Sequence, residues 1–223
     1  MAVIHHTVLT PTKLELLASW LPARPWYHGG AGGPDLAKAG GFRLDDPQGE
    51  VGIEFLVVTD ASAADPAAYL VPLTYRGAPL DGAEHALVGT MEHGVLGRRW
   101  AYDGAHDPVL VAQLLALIEG RAQAQDQNAS DTPDREVLRA CANEVPLKAA
   151  DFSTAEDGPD GTELSAPHGS VLHLHRLLHP APQDGPPVPP GGAAGHVAGS
   201  WLLPDGTRTC GLFAALLHTD RRS

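Results

Sequence analysis

Cysteine, aromatic residues and long apolar runs are all scarce in this sequence of 223 residues. With only Cys141 and Cys210, neither a disulfide framework nor a zinc site of four thiolates can form. Aromatic residues amount to 5%, and no apolar run approaches the ~20 residues of a membrane helix. The 25 glycines and 20 prolines instead predict short elements joined by many turns. We therefore expect a globular protein.

Positive charge is scarce as well, because 15 Lys and Arg residues against 27 Asp and Glu residues leave a net charge of −12. Nucleic acids and anionic membranes both require a clustered positive surface, so neither is expected as the main partner. The N-terminal residues lack the basic and apolar regions of a secretory signal peptide. We accordingly expect a cytoplasmic protein.

Two segments predict α-helices. In the first, Thr10 is placed as the N-cap, Pro11 takes the first helical position, and an apolar face recurs until Pro22 ends the helix. In the second, Asp107 is the N-cap, a proline follows it, and Gly120 stands where a C-terminal glycine belongs.

The stretches between and after these helices predict β-strands. Alternation favours strands over 51–58 and 69–75, joined by the polar loop 60–66, and one or two more over 87–102. The polar segment 121–134 has no apolar anchor and reads as a linker. Beyond it we predict a strand over 171–178, a loop over 180–192 and a hairpin over 197–217 that turns at Pro204-Asp205-Gly206.

Motifs that carry chemistry are few. The glycine-rich stretches 29–33 and 191–192 lack the Lys-Ser/Thr of a phosphate-binding loop, and no Gly-x-Ser-x-Gly motif of a hydrolase occurs. His173 and His175 share one face of a predicted strand and, with His179 or His168, could hold zinc. Solvent-facing strand histidines are the favoured interpretation, so no metal site is predicted.

Two acidic pairs are candidates for paired carboxylates. Asp45-Asp46 is interpreted as part of a turn, and Glu50 with Glu54 as the polar face of an edge strand. The residues alone do not declare a reaction.

Three segments in the first half carry a family resemblance. They are Leu-Pro-Ala-Arg-Pro-Trp-Tyr-His-Gly-Gly at 21–30, Tyr-Leu-Val-Pro-Leu at 69–73 and Tyr-Asp-Gly-Ala-His-Asp-Pro at 102–108. In this order they resemble the N-terminal cap domain of maltokinases, enzymes that phosphorylate maltose to maltose 1-phosphate. The chain departs from the cap signature where Pro25 separates the Arg from the Trp and where Gly30 replaces a Lys.

The second half is similar to the N-lobe of the kinase, over residues 161–165 and 171–178. On this alignment His173 takes the position of the lysine that holds nucleotide phosphates, so this N-lobe looks degenerate. The residues of a kinase C-lobe that orient the acceptor hydroxyl and hold Mg²⁺ are not found in the sequence. The resemblance therefore implies a chain that is not a kinase by itself.

The expected fold class is α+β. The resemblance implies a curved antiparallel sheet with packed helices, described for such caps as cystatin-like, followed by a mainly β second module. The expected domains are a cap-like domain over 1–120, the linker over 121–134 and a β-rich module over 135–223.

The function implied is that of a non-catalytic accessory or regulatory protein in the conversion of trehalose and maltose to α-glucan. A maltokinase, a trehalose synthase or a glucan branching enzyme would be its protein partner, and no cofactor is expected. The predicted ligand or partner surface consists of Arg24, Trp26, Tyr27, Arg98, Trp100, Tyr102 and Asp103.

Two alternatives stay open. The first is a small-ligand sensor for a sugar, a sugar phosphate or a nucleotide, with Trp20 and the aromatic residues of the predicted surface as stacking rings. The second is an enzyme with an unrecognised site, for which Arg24, Glu54, Arg98 and Asp103 are the first residues to replace.

Overall fold

The described residues, 9–142, 147–152, 154–166, 169–182 and 187–218 of a computed structural model, form one large antiparallel sheet and two α-helices. The helices are α1 (Lys13–Trp20) and α2 (Pro108–Glu119). The strands are β1 (Leu9–Thr10), β2 (Leu36–Leu44), β3 (Gly52–Asp60), β4 (Ala67–Arg76), β5 (Leu87–His93), β6 (Gly97–Asp103), β7 (Gln125–Asp126), β8 (Leu138–Cys141), β9 (Thr154–Asp157), β10 (Gly161–Ser165), β11 (Ser170–His175), β12 (Leu177–Leu178), β13 (Ala193–Leu202) and β14 (Arg208–His218).

The sheet runs through both halves of the chain. Its strands lie in the order β1-β5-β6-β4-β3-β2-β13-β14-β11-β10-β9, with β7 beside β2, β8 beside β13 and β12 beside β4. Strands β11 and β12 are separated only by Arg176, yet β11 pairs with β14 and β12 pairs with β4. The sheet therefore curves, so that β12 from the second half of the chain pairs with β4 from the first half.

Helix α1 begins two residues later than predicted. Its N-cap is Thr12, whose Oγ1 accepts a hydrogen bond from the backbone N–H of Glu15, while the Glu15 carboxylate accepts one from the backbone N–H of Thr12. This reciprocal capping box satisfies two helix donors, which Thr10 could not do because Lys13, rather than a Glu or Gln, follows it by three residues. The placement of the N-cap at Thr10 is therefore wrong.

Helix α2 confirms its prediction. The Asp107 carboxylate accepts a hydrogen bond from the N–H of Val109, Pro108 takes the first turn, and Gly120 ends the helix in a left-handed conformation with φ of +80°. The Asp107 carboxylate also binds the Arg76 guanidinium in a bidentate ion pair, at 2.7 Å for each hydrogen bond. The start of α2 is thereby fixed to the end of β4.

Two apolar clusters lie on the two faces of β3, because side chains alternate along a strand. Ile53, Phe55 and Val57 belong to a cluster that contains the buried residues of α2. Leu56 and Val58 belong to a second cluster that contains residues of α1. The sheet thus carries one helix on each face.

The interpretation of Glu54 as part of the polar face of an edge strand is wrong. Strand β3 lies between β2 and β4, and Glu54 is buried. The predicted acidic turn does precede the strand: the Asp46 carboxylate accepts hydrogen bonds from the backbone N–H groups of residues 48, 50 and 51.

The polar segment 121–134 is folded against the sheet. It contains β7, which pairs with Phe42 and Arg43 of β2, and the Arg43 guanidinium donates hydrogen bonds to the carbonyls of Asp126 and Ala129. The division into two domains around this segment stays a prediction.

The α+β fold class is confirmed only in part. The predicted antiparallel sheet is present, the strands over 51–58, 69–75 and 87–102 are found, and the last hairpin turns at 204–206. The two helices, with 8 and 12 residues, are short, so the structure is mostly open sheet. The strands of the second half extend the sheet of the first. The predicted loop 180–192 lies partly outside the described residues.

Among the described residues, no helix combines the length and the apolar character that crossing a membrane demands.

The end of α2 gives a test of the fold. Replacing Gly120 by Ala forces an L-residue into the left-handed region and is expected to lower the free energy of unfolding by about 1 to 2 kcal/mol. Urea denaturation measures the change. The control is Gly158→Ala, where an added methyl group has 3.7 Å to its nearest neighbour and the stability should change by less than about 0.5 kcal/mol. Equal stability of wild type and Gly120→Ala would contradict the prediction.

Candidate functional site

The signature segment that follows α1 is built around buried aromatic rings. A 3₁₀ turn, Leu21–Ala23, follows α1, and Trp26 lies beyond it without exposed surface. The ring centroid of Trp26 is 5.8 Å from that of Trp20 and 6.1 Å from that of Tyr69. Tilted rings at such separations attract one another beyond their burial. The segment is therefore part of the core on the α1 face.

Tyr27 organises the glycine-rich loop next to it. Its hydroxyl donates a hydrogen bond of 2.6 Å to the Asp60 carboxylate, which also accepts from the backbone N–H groups of Asp35 and Ser62. The Ser62 hydroxyl in turn accepts a hydrogen bond from the N–H of Gly30. Burial and the bond to Asp60 raise the pKa of Tyr27 to about 12, so the phenol stays protonated. The loop is tied to the sheet by this carboxylate.

A fully buried ion pair, here called the Asp103–Arg176 pair, lies at the centre of the site. Asp103 is the last residue of β6, Arg176 separates β11 from β12, and their exposed fractions are 1% and 0%. The Arg176 Nη2 donates to both carboxylate oxygens, at 2.6 and 2.7 Å. Its guanidinium carbon also lies 5.2 Å from the ring centroid of Trp26. A buried charge needs such a partner, because desolvation without compensation costs several kcal/mol.

Two further hydrogen bonds connect Arg176 of this pair to Asp157 through the Thr162 hydroxyl. The Arg176 Nε donates to the Thr162 hydroxyl at 2.8 Å, and that hydroxyl donates to the Asp157 carboxylate at 2.6 Å. The Arg24 Nη1 lies 3.9 Å from the other oxygen of Asp157, and its guanidinium carbon lies 4.8 Å from the ring centroid of Trp20. Two arginines and two aspartates thus join strands that are far apart in the sequence.

Two histidines lie beside the Asp103–Arg176 pair. His106 ends the 3₁₀ turn that follows Asp103, and its Nδ1 is 3.2 Å from the Nε2 of His85. Burial lowers the pKa of His106, and the charges of His85 and Arg176 act in the same direction against the carboxylates of Asp103 and Asp157. His106 is therefore neutral near pH 7 and adds no charge to the pair.

Glu54 forms a separate buried cluster on the α1 face. Its Oε2 accepts hydrogen bonds from Lys13 Nζ at 2.5 Å and Tyr75 Oη at 2.6 Å, and its Oε1 accepts one from Gln127 Nε2 at 3.0 Å. Burial acts to raise the pKa of Glu54, but the charge of Lys13 and the hydrogen bonds outweigh it and the pKa is lowered. The carboxylate holds the first residue of α1 and the segment after β7 against the sheet.

A groove of about 800 Å³ opens between β2 and β13. Its walls come from β2 at Lys38–Phe42, from residues of the stretch 126–137, and from the β13–β14 hairpin at 200–202, Arg208 and Phe213. Charges of both signs lie along it, including an ion pair between Arg208 and Glu136 at the surface. Local sequence patterns do not predict this groove, because its walls come from three distant stretches.

The seven residues of the predicted surface do not lie together on a surface. Trp26, Tyr102 and Asp103 are buried, and the Tyr102 hydroxyl accepts a hydrogen bond from the backbone N–H of Leu80. Their placement on a surface is wrong, because these polar and aromatic groups are used by the interior. Among the seven, Arg98 is well exposed, and it pairs with Glu92.

The remaining predicted residues are divided between two regions. Arg24 and Tyr27 are half-buried in the contacts already described, while Trp100 is half-buried on β6 near Tyr102. Whether any of them contacts a ligand or a partner stays a prediction. Trp20, Trp26 and Tyr102 are buried, and their use as stacking rings for a small ligand stays a prediction.

Sequence reasoning missed Arg176 as the partner of Asp103. A signal was present: at a spacing of two residues, Arg176 falls on the same predicted strand face as Leu172, Leu174 and Leu178. A charged residue on an otherwise apolar strand face demands a buried partner. Which carboxylate would supply it could not be deduced, since 73 residues separate the two.

His173 and His175 do share one strand, β11, with ring centroids 4.6 Å apart. The Nδ1 of His173 lies 3.4 Å from a carboxylate oxygen of Glu163 on β10. Burial, with the charges of His173 and His179, lowers the pKa of His175 to about 4. Across the part of the chain that the structure describes, no group of three or more His, Cys, Asp and Glu side chains is placed to hold a metal ion. His168 lies outside the described residues.

The region from α1 to the start of α2 is a small domain-sized unit of sheet and helix with a buried Trp, Tyr and Asp at its motif positions. The family model of the maltokinase N-terminal cap domain matches residues 20–107. This confirms the resemblance to the cap and gives the chain a cap-like region, which covers less than half of its length. The likeness of the second half to a kinase N-lobe stays a prediction. No curated protein matches the chain.

The Asp103–Arg176 pair can be tested by a double-mutant cycle in urea. Asp103→Asn and Arg176→Met each leave one buried charge without its partner, and each should lower the free energy of unfolding by about 3 to 5 kcal/mol. The double variant should lose clearly less than the sum of the two. As the matched control, the same cycle on the exposed pair Glu92 and Arg98 should give a coupling below about 1 kcal/mol. Additive losses at Asp103 and Arg176 would contradict the pairing.

The half-buried His175 predicts a pH dependence of stability. Its pKa of about 4 in the folded protein lies below the ordinary value of 6.5, so between these values the unfolded chain binds a proton that the folded protein does not. Stability should therefore fall as the pH is lowered from 6.5 towards 4. His175→Asn removes the titrating group and should lose less stability between pH 7 and pH 5 than the wild type does.

Unfolding free energies at the two pH values measure this effect. The exposed His28→Asn serves as the control and should keep the wild-type dependence on pH. An unchanged dependence on pH in His175→Asn would show that His175 is not responsible.

Proposed function

We propose that this chain is a non-catalytic, maltokinase-cap-like accessory protein that acts in the cytoplasm through contacts with a partner enzyme. The partner would be a maltokinase, a trehalose synthase or a glucan branching enzyme of the conversion of trehalose and maltose to α-glucan. The match of residues 20–107 to the maltokinase cap domain supports this setting.

The observation that carries the proposal is the use made of the polar groups at the cap motif positions. The Asp103 carboxylate is bound to Arg176, and the Tyr27 hydroxyl is bound to Asp60. Catalytic groups have to line a cleft that the substrate can enter. The Asp103–Arg176 pair joins the cap-like region to the second half, and the bond between Tyr27 and Asp60 stabilises the cap-like region itself, which favours a scaffold over a catalyst.

Charge gives a further reason to expect a protein partner. The net charge of −12 produces a negative surface potential, which steers binding towards a partner with a positive patch. Association of this kind is faster at low ionic strength, because added salt screens the attraction between exposed charges.

The proposal is tested by mixing the purified chain with each of the three candidate enzymes and measuring elution volume and mass in solution. One of them should form a complex that elutes earlier than either component, and the complex should weaken between low salt and high salt. The enzyme heated to inactivation and an unrelated acidic protein of similar size are the controls.

Three other outcomes would overturn the proposal. Separate elution from all three enzymes would exclude direct association. A rise in the melting temperature with maltose or ATP·Mg²⁺ and no complex would identify a small-ligand sensor, because a ligand that binds the folded state stabilises it by mass action. Phosphorylation of maltose by the chain alone would identify an enzyme.

A further inference from the structure

Strands β2 and β13 are neighbours in the sheet but pair over a very short length. In the part of the chain that the structure describes, these strands pair with each other only at Gly40 and Trp201. On one side of this contact, β7 occupies the edge of β2 at Phe42 and Arg43. On the other side, Leu36–Ala39 have β3 along one edge and no described strand along the other.

The backbone groups of this free edge can be assigned from the register. The N–H of Ala61 donates to the carbonyl of Asp35 at 3.0 Å, so these two residues form a hydrogen-bonded pair. Such pairs alternate with non-bonded pairs along an antiparallel ladder. Ala37 therefore bonds to β3, while Leu36 and Lys38 direct their N–H and C=O groups away from β3. Lys38 lines the groove, and Leu36 continues the same strand edge beyond it.

The groove offers further unsatisfied donors and no dominant charge. The indole Nε1 of Trp201 in its wall is buried without a hydrogen-bond partner among the described residues. Lys38 and Arg208 lie along the groove together with Asp134 and Glu136, so positive and negative side chains offset each other. A highly charged ligand would find no complementary surface here, whereas a chain of neutral amide groups would.

We propose that this groove binds an extended polypeptide segment of a partner protein, which pairs with Leu36–Lys38 of β2 as an additional strand. Addition of a strand to a free sheet edge gives affinity through main-chain hydrogen bonds. The segment would be extended, of low net charge and without proline at the residues that face Lys38. This proposal rests on the proposed function, since it names the surface through which an accessory protein would hold its partner.

The polypeptide chemistry of the occupant follows from the backbone groups. Two residues of one strand edge present alternating N–H donors and C=O acceptors at the spacing of a strand, and a second extended backbone presents the matching set. The groove volume of about 800 Å³ admits a single segment rather than a folded domain. An unpaired edge is also a liability for aggregation, which a bound segment removes.

The test uses the full chain and a peptide selected from a random dodecapeptide display library. Binding of the synthetic peptide is measured by fluorescence anisotropy to the wild type, to Lys38→Pro and to Lys38→Ala. Proline removes the N–H that points away from β3 and breaks no bond of the existing ladder. Lys38→Pro should weaken binding by about tenfold or more, while the matched Lys38→Ala, which keeps the N–H, should stay within about threefold of the wild type.

Amide hydrogen exchange on the wild-type chain gives a second measurement that needs no variant. Bound peptide should slow exchange at Leu36 and Lys38 and leave the amides of β9, at the far edge of the sheet, unchanged. The proposal is overturned if no peptide is enriched over an unrelated protein, or if the bound peptide leaves exchange at Leu36 and Lys38 unchanged. Full binding to Lys38→Pro at a wild-type melting temperature would overturn it as well.

The two proposals fail in distinguishable ways. Suppose that none of the three enzymes forms a complex but the selected peptide protects Leu36 and Lys38. The groove is then confirmed as a peptide-binding site, and the proposed partner enzymes are wrong. If an enzyme binds equally well to the wild type and to Lys38→Pro, and no peptide is enriched, the accessory function stands and the groove is not its docking site.

Discussion

The Asp103–Arg176 pair is the interaction on which the arrangement of this molecule depends. Both groups are buried, and a buried guanidinium is tolerable only with its carboxylate in place. Because Asp103 ends β6 and Arg176 separates β11 from β12, satisfying this charge also fixes where the last part of the sheet returns to β4. Replacing both residues by apolar side chains need not lower the free energy of unfolding. The pair therefore contributes to specificity, because it selects the arrangement in which β12 returns to β4.

Local signals account for what the sequence predicted well. Helix α2 is framed by an aspartate cap, a proline in the first turn and a left-handed glycine, all within one stretch. The start of α1 was misplaced because Thr10-Pro11 and Thr12 both look like caps, and only the reciprocal bonds of Thr12 with Glu15 separate them. The alternation of side chains along the sequence predicts the strands. It does not show whether a helix covers one face of the sheet or both.

Long-range features could not be predicted from this one sequence. The partner of Asp103 lies 73 residues away, and the groove combines three separate stretches. The predicted surface is wrong at Trp26, Tyr102 and Asp103, because a motif does not show whether its side chains are exposed, and here the fold buries these three. Polar composition likewise suggested a linker at 121–134, where backbone pairing places the segment against β2.

The neighbourhood of β2 and β13 has a consequence for synthesis of the chain. Phe42 on β2 packs on Phe55 and on Phe213, the last of which is contributed by β14 near the end of the described residues. During synthesis, α2 can cover Phe55 on this face once residue 119 has been made, whereas Phe42 gains its contact with Phe213 only after β14 has been added. Until then, the side of Phe42 that later packs on Phe213 is open to premature association.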